Sequence, residues 1–255
     1  MIQYLNGVIK LKRSNKKTLI WISSIAITII LIVSVFLVYV SDYYPADTGS
    51  IETFIENKDV NKTVLYDGAV SYQATNSTVG FIFYPGGKVE SSAYEPLMYE
   101  LAFKGVTCIL LEMPFNLAVF NVNAASKAME YFQEIESWYI GGHSLGGSMA
   151  ASYLGNNAEK FDGLVLLGSY CTNDLSNKGI DVLSIYGSED KVMNKEKYDK
   201  YKVNLPLDFT EQIIEGGCHA YFGMYGFQEG DGMPTISVEE QISLTANYID
   251  TFIKK

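Results

Sequence analysis

Residues 19–40 read LIWISSIAITIILIVSVFLVYV, 22 residues without a charge. A soluble helix of that length should carry a polar face, and this run has none. As an α-helix it is about 33 Å long at about 1.5 Å per residue, enough for a bilayer core of about 30 Å. Trp21 stands near one end and Tyr39, Tyr43 and Tyr44 near the other, where interfacial aromatics belong. Lys10, Lys12, Arg13, Lys16 and Lys17 precede it, and the first 40 residues hold no acid. The positive-inside rule then predicts a cytoplasmic basic tail over 1–18, a transmembrane anchor over 19–40 and the rest of the chain on the far side. A cleavable signal has an apolar region of about 7–15 residues ending in a small-x-small site. This run is longer, VYVSDYYPA offers no such site, and no cysteine lies near the exit for lipid attachment. The expectation is an uncleaved single-pass anchor in the cell membrane, with the lipid bilayer a partner of residues 19–40.

Taking those residues away changes the charge of what remains. Five of the 19 basic residues lie in the tail, so 14 stand against 29 acids beyond it. Such a surface repels nucleic acid, and nucleic-acid functions are excluded. Cys108, Cys171 and Cys218 are too few and too widely spaced for a disulfide framework or a CxxC metal site, and are expected as unpaired, mostly buried thiols. EGDGMPT (229–235) has acids but no histidine or cysteine at metal spacing, so no metal is expected.

After a polar linker over 41–60, with a short helix within it, strand and helix patterns alternate through 61–255. NKTVLYDG and AVSYQAT predict a hairpin turning at Asp67-Gly68. VGFIFYP (79–85), VTCILLEM (106–113), SWYIGG (137–142), GLVLLGSY (163–170), DVLSIYG (181–187) and FTEQIIEGG (209–217) read as strands, the first a continuous apolar run that suits burial on both faces and the second another buried strand. Helical patterns cover 91–104, stopped by Gly105, and 116–132, 145–154 and 193–203. A last helix begins at Ser237 with Glu240 in capping-box position; its apolar face carries Ile242, Ala246, Ile249, Phe252 and Ile253. This alternation predicts a mostly parallel sheet with helices on both faces, whose functional groups stand beyond the carboxyl ends of the strands.

At the end of the fifth strand stands Gly142-His143-Ser144-Leu145-Gly146, followed at once by the helical run GSMAASYL. A glycine turn capped by Ser144 would read the same way. A G-x-S-x-G between strand and helix, however, is the pattern of a serine held on a sharp turn, clear of the sheet. Such a serine needs a base, and the chain has two histidines, His143 and His219. His143 directly precedes the serine and is expected to point away from it. His219, in EGGCHAYFG just past the last strand, is the expected base. The strand DVLSIYG runs into SEDKV, offering Asp190 to orient that base, with Glu189 as the alternate acid. A tetrahedral oxyanion would take the N–H of Leu145 and one from the loop after the third strand, YPGGKVE, from Gly87 or Lys88. Glu112 and Asn116 in LEMPFNLA could face the site, with Asn116 the better candidate for a helix cap. AYFGMYGF (220–227) could wall a pocket or pack the last helix.

IFYPGG, GGHSLGG, IYGSED and EGGCHAYFG, in this order and at strand ends, make residues 60–255 resemble an α/β-hydrolase of the small bacterial group related to dienelactone hydrolase and carboxylesterases. The resemblance implies the α/β-hydrolase fold and a Ser144–Asp190–His219 triad that needs no cofactor. Dienelactone hydrolase has a cysteine nucleophile, and Ser144 in its place points to general ester chemistry. Many members carry a lid between the sixth and seventh strands; CTNDLSNKGI (171–180) is too short for a lid domain, which implies an open site for small or exposed acyl substrates. The expected activity is a membrane-anchored serine esterase. The alternatives are a non-catalytic binding module on the same fold and an envelope acyltransferase. Oligomeric state is not legible in the sequence.

Overall fold

The structure, a computed structural model, describes residues 15–56 and 58–255. The basic residues Lys10, Lys12 and Arg13 of the predicted tail lie outside the described residues. The chain divides into two compact units between Asp42 and Tyr43. The described part of the first unit is one helix, α1 (Asn15–Ser41). Leu19, Ile20, Trp21 and Ile22, successive positions that circle the helix, are all exposed. Its segment Thr18–Ser41 is long and apolar enough to cross a membrane.

The second unit is built on eight strands: β1 (Asn61–Val64), β2 (Val70–Gln73), β3 (Val79–Tyr84), β4 (Thr107–Leu110), β5 (Ser137–His143), β6 (Gly163–Leu167), β7 (Asp181–Gly187) and β8 (Thr210–Ile214). They form one sheet in the order β1-β2-β4-β3-β5-β6-β7-β8. The β1–β2 and β2–β4 pairs are antiparallel, and every pair from β4 to β8 is parallel. Helices α2 (Thr48–Ile55), α3 (Glu95–Phe103), α4 (Leu145–Gly155), α5 (Lys195–Tyr201) and α6 (Val238–Ile253) surround it. Side chains of a strand alternate between faces, so β3 feeds two cores. Phe81 and Phe83 pack with Leu97 and Leu101 of α3 and Ile242 and Ile249 of α6. Ile82 and Tyr84 pack on the other face with Ala150, Ala151 and Leu154 of α4.

Local signals act where the sequence places them. Asp67 and Gly68 both take positive φ, 48° and 82°, and close the β1–β2 hairpin. Ser237 caps α6 through Oγ, which accepts from the Glu240 N–H at 3.1 Å. The stretch read as a linker is bound to the second unit from Tyr44 onward: its N–H donates to the Lys88 carbonyl at 2.7 Å and its carbonyl accepts from Glu90 at 3.0 Å.

The predicted helix over 116–132 is not an α-helix. The region holds short 3-10 segments at Pro114–Asn116, Ala118–Phe120 and Ala124–Tyr131. The Tyr84 hydroxyl enters this stretch from the sheet. It donates to the Val122 carbonyl at 2.7 Å and accepts from the Ala125 N–H at 3.1 Å, removing groups an α-helical ladder would use. Asn116, expected as a cap, has φ 54° and its carbonyl accepts from the Lys88 N–H.

Candidate active site

Ser144 sits between β5 and α4 at φ 52°, ψ −121°, a sparsely populated region for any residue with a Cβ. The turn is held from the sheet: the Ser144 N–H donates to the Leu167 carbonyl at 2.9 Å, and the Ser169 hydroxyl donates to the Ser144 carbonyl at 2.7 Å. It is also held by close approach. A Cβ on Gly146 would lie 2.2 Å from the Pro85 carbonyl oxygen and 2.3 Å from that of Tyr84. Only glycine lets α4 start this close to the end of β3, which explains the last glycine of the motif.

His219 follows β8, and Asp190 follows β7. Their side chains meet at 2.8 Å, His219 Nδ1 to Asp190 Oδ2. The other carboxylate oxygen, Oδ1, accepts the N–H groups of Val192 at 3.0 Å and Met193 at 2.8 Å. One oxygen is thus fixed by backbone while the other orients the imidazole. Glu189 does not reach the histidine; its carboxylate takes the Ser188 hydroxyl at 3.3 Å. His219 Nε2 is buried and has no hydrogen-bond partner among the described residues, so no bond joins it to Ser144 here. Such bonds are commonly long without substrate and tighten in the reacting complex.

His143 is buried. Its Nδ1 lies 2.7 Å from the Tyr94 hydroxyl, and its ring centroid is 4.4 Å from that of His219. Tyr94 Oη also accepts the Gly86 N–H at 3.1 Å. The single phenolic proton therefore points at His143 Nδ1, which leaves a neutral His143 protonated on Nε2. Burial and the nearby His219 hold His143 well below its ordinary range, so it stays neutral, although the His219 backbone pushes weakly the other way. Burial drives the Tyr94 phenol up, so it remains a donor.

The loop after β3 approaches the start of α4. A Cβ on Gly87 would lie 2.9 Å from Leu145 Cδ2. The N–H groups of Gly87 and Leu145 find no acceptor among the described residues. The Lys88 N–H, the alternative oxyanion donor, is already given to the Asn116 carbonyl at 2.7 Å. Of the two N–H groups, that of Gly87 is the one not already given to a carbonyl among the described residues.

The model of the alpha/beta hydrolase family matches residues 80–243. The chain belongs to the α/β-hydrolase family. The match runs from β3 into α6 and spans Ser144, Asp190 and His219. A solved dienelactone hydrolase from Anabaena variabilis is similar in fold, with a TM-score of 0.57 at 13% identity, over 76% of this chain and 99% of that one. A comparison with curated proteins finds no match.

In this α/β-hydrolase no helix or strand lies between β6 and β7. A cleft of about 230 Å³ opens beside Ser144, lined by Leu145, Gly168, Tyr170, Met193 and Asn194 among others. A larger hollow of about 510 Å³ lies at the amino ends of β3 and β4, but Glu134 is the only ionisable side chain among its lining residues. Chemistry, not size, selects the smaller cleft. The aromatic run after His219 mainly packs: Phe222, Met224 and Tyr225 are buried in the core with α6. Glu112 is engaged by the Ser91 hydroxyl. All three cysteines are free and buried; burial pushes the Cys171 thiol up to about 11 and the Cys218 thiol up to about 12. No group of side chains suited to a metal occurs among the described residues.

Two site residues escaped the sequence reading. Tyr94 was legible only as part of an apolar helix face. Gly168, at φ 50°, faces the Asp190–His219 pair: a Cβ there would lie 2.9 Å from His219 Nδ1 and 3.1 Å from Asp190 Oδ2. The only signal for it was a glycine at the carboxyl end of a strand.

Proposed function

We propose that the chain is a membrane-anchored serine hydrolase acting on small acyl esters. The observation that carries the reading is a buried His219–Asp190 hydrogen bond together with a serine held on a strained strand-to-helix turn. Ser144 Oγ attacks the ester carbonyl while His219 Nε2 takes its proton. The N–H groups of Leu145 and Gly87 hold the oxyanion. Collapse expels the alcohol, which takes the proton from His219, and leaves an acyl-serine. Water, deprotonated by His219, then releases the acid and regenerates Ser144. Asp190 orients His219 and balances its transient charge. A cleft of about 230 Å³ and the lack of any lid element between β6 and β7 favour short acyl groups.

Thr18–Ser41 supports the anchor, and the basic residues before it support a cytoplasmic N-terminus with the hydrolase domain outside. The test is intact mass after a fluorophosphonate probe, wild type beside Ser144→Ala. One adduct on wild type and none on the variant is the expected result. No adduct on folded wild type would sink the reading.

A further inference from the structure

Asp190 and His219 stand on different loops, 29 positions apart in the chain, and their mutual geometry has to be set by what joins those loops. On the amino side the tie is backbone: the Glu189 N–H donates to the Gly217 carbonyl at 2.8 Å. On the carboxyl side no backbone bond joins the two loops among the described residues. There a third loop intervenes. Asp231 Oδ2 accepts the N–H of Ala220, the residue after His219, at 2.9 Å. Asp231 Oδ1 accepts the N–H of Lys191, the residue after Asp190, at 3.2 Å, and that of Gly232 at 2.9 Å. The loop itself is seated: the Thr235 N–H donates to the Gly216 carbonyl at 2.8 Å, and a Cβ on Gly232 would lie 2.0 Å from the Glu189 carbonyl oxygen.

We infer that Asp231 is a positioning residue that clamps the Asp190 loop to the His219 loop and so sets the alignment of the pair. One carboxylate takes an N–H from each loop, directly after each paired residue. No cation pairs with Asp231 among the described residues; its charge is met by these N–H groups, with the buried Cys218 thiol beside it. A carboxylate suits the task because it accepts on both oxygens and donates on neither. Asparagine of the same shape would set an NH₂ against one of the N–H donors and open one side of the clamp. The inference rests on the hydrolase reading, since alignment matters only if His219 acts on Ser144.

The test uses the full chain in detergent and compares wild type with Asp231→Asn, Asp231→Glu and Glu229→Gln, an exposed acid of the same loop. Rates of fluorophosphonate labelling are measured across pH, and amide exchange is followed at Lys191 and Ala220. The clamp predicts that Asp231→Asn labels about tenfold or more slowly, since a small misplacement near the chemistry is costly in rate. It also predicts that the acid limb of the profile moves to lower pH, because a looser Asp190 supports the imidazolium less. Asp231→Glu keeps the charge but misplaces it, and is expected to be slow as well; Glu229→Gln is expected to match wild type. Labelling of Asp231→Asn within twofold of wild type overturns the inference. So does a loss that merely follows the folded fraction with an unmoved acid limb, and so does Asp231→Glu labelling like wild type. Exchange keeps the two readings apart. Wild type that protects both amides but takes no probe defeats the hydrolase reading and not the clamp; wild type that labels with both amides open defeats the clamp alone.

Discussion

The carboxylate of Asp190 reaches His219 Nδ1 at 2.8 Å, and each side chain is 1% exposed. In so dry a setting the carboxylate fixes both the tautomer and the tilt of the ring, leaving Nε2 as the basic nitrogen. Asp190→Asn keeps the shape but not the charge that balances an imidazolium. It is expected to lower kcat by about 10³–10⁴-fold with KM little changed. Glu189→Gln, whose carboxylate takes the Ser188 hydroxyl and not the imidazole, is expected to stay within twofold of wild type. Hydrolysis of a short nitrophenyl ester distinguishes them, and equal losses in the two variants would put the acid at neither residue.

Gly168 gives a second test. Alanine at φ 50° is strained, and its methyl would press between His219 Nδ1 and Asp190 Oδ2. Gly168→Ala is expected to lose about 1–2 kcal/mol of stability, which for a domain of this size lowers Tm by roughly 2–8 °C. Its loss of kcat is expected to be far larger than unfolding explains, about 10²-fold. Thermal denaturation and ester turnover on the same sample check both; full activity with a lowered Tm would mean that the pair tolerates displacement.

The contrast between Gly146 and Gly168 shows what the sequence made legible. Gly146 belongs to a local pattern, strand to serine to helix, in which the steric need arises within a few residues of chain. The hairpin at Asp67-Gly68 and the Ser237 cap are legible for the same reason. Gly168, Tyr94 and Asp231 act on groups that are distant in sequence, and nothing near them signals the partner. The 116–132 stretch fails from the opposite cause: its local pattern is helical, but the Tyr84 hydroxyl, from a strand more than thirty positions back, takes the backbone groups a helix would need. The order of Ser144, Asp190 and His219 was readable only because strand ends in an alternating α/β chain converge on one edge of the sheet.

Tyr94 links the Gly86-Gly87 loop to the core, and its hydroxyl can be removed alone. In Tyr94→Phe the ring still packs against Phe83, at 5.1 Å between centroids. The Gly86 N–H and His143 Nδ1 both lose their partner. Leaving buried polar groups unpaired costs about 1–3 kcal/mol, and Tm is expected to fall accordingly. If the Gly86-Gly87 loop supplies an oxyanion donor, kcat falls with it while KM holds. A variant with lowered Tm but wild-type kcat would remove that loop from the reaction.

His143 makes stability depend on pH in a direction that can be worked out. Burial, with the adjacent His219, holds its folded-state proton affinity well below the ordinary histidine value. In the unfolded chain it titrates at about 6.5. Below that pH, and above the depressed folded value, the unfolded state binds the extra proton, so falling pH favours unfolding by up to about 1.4 kcal/mol per pH unit. Above pH 7 both states are neutral and the contribution vanishes. His143→Asn cannot titrate here, and so lacks this term whatever its own stability. Between pH 7.5 and pH 5, wild type is expected to lose more stability than His143→Asn, seen as a larger Tm drop on acidification. Equal drops in the two proteins would mean that His143 takes up its proton without unfolding the chain.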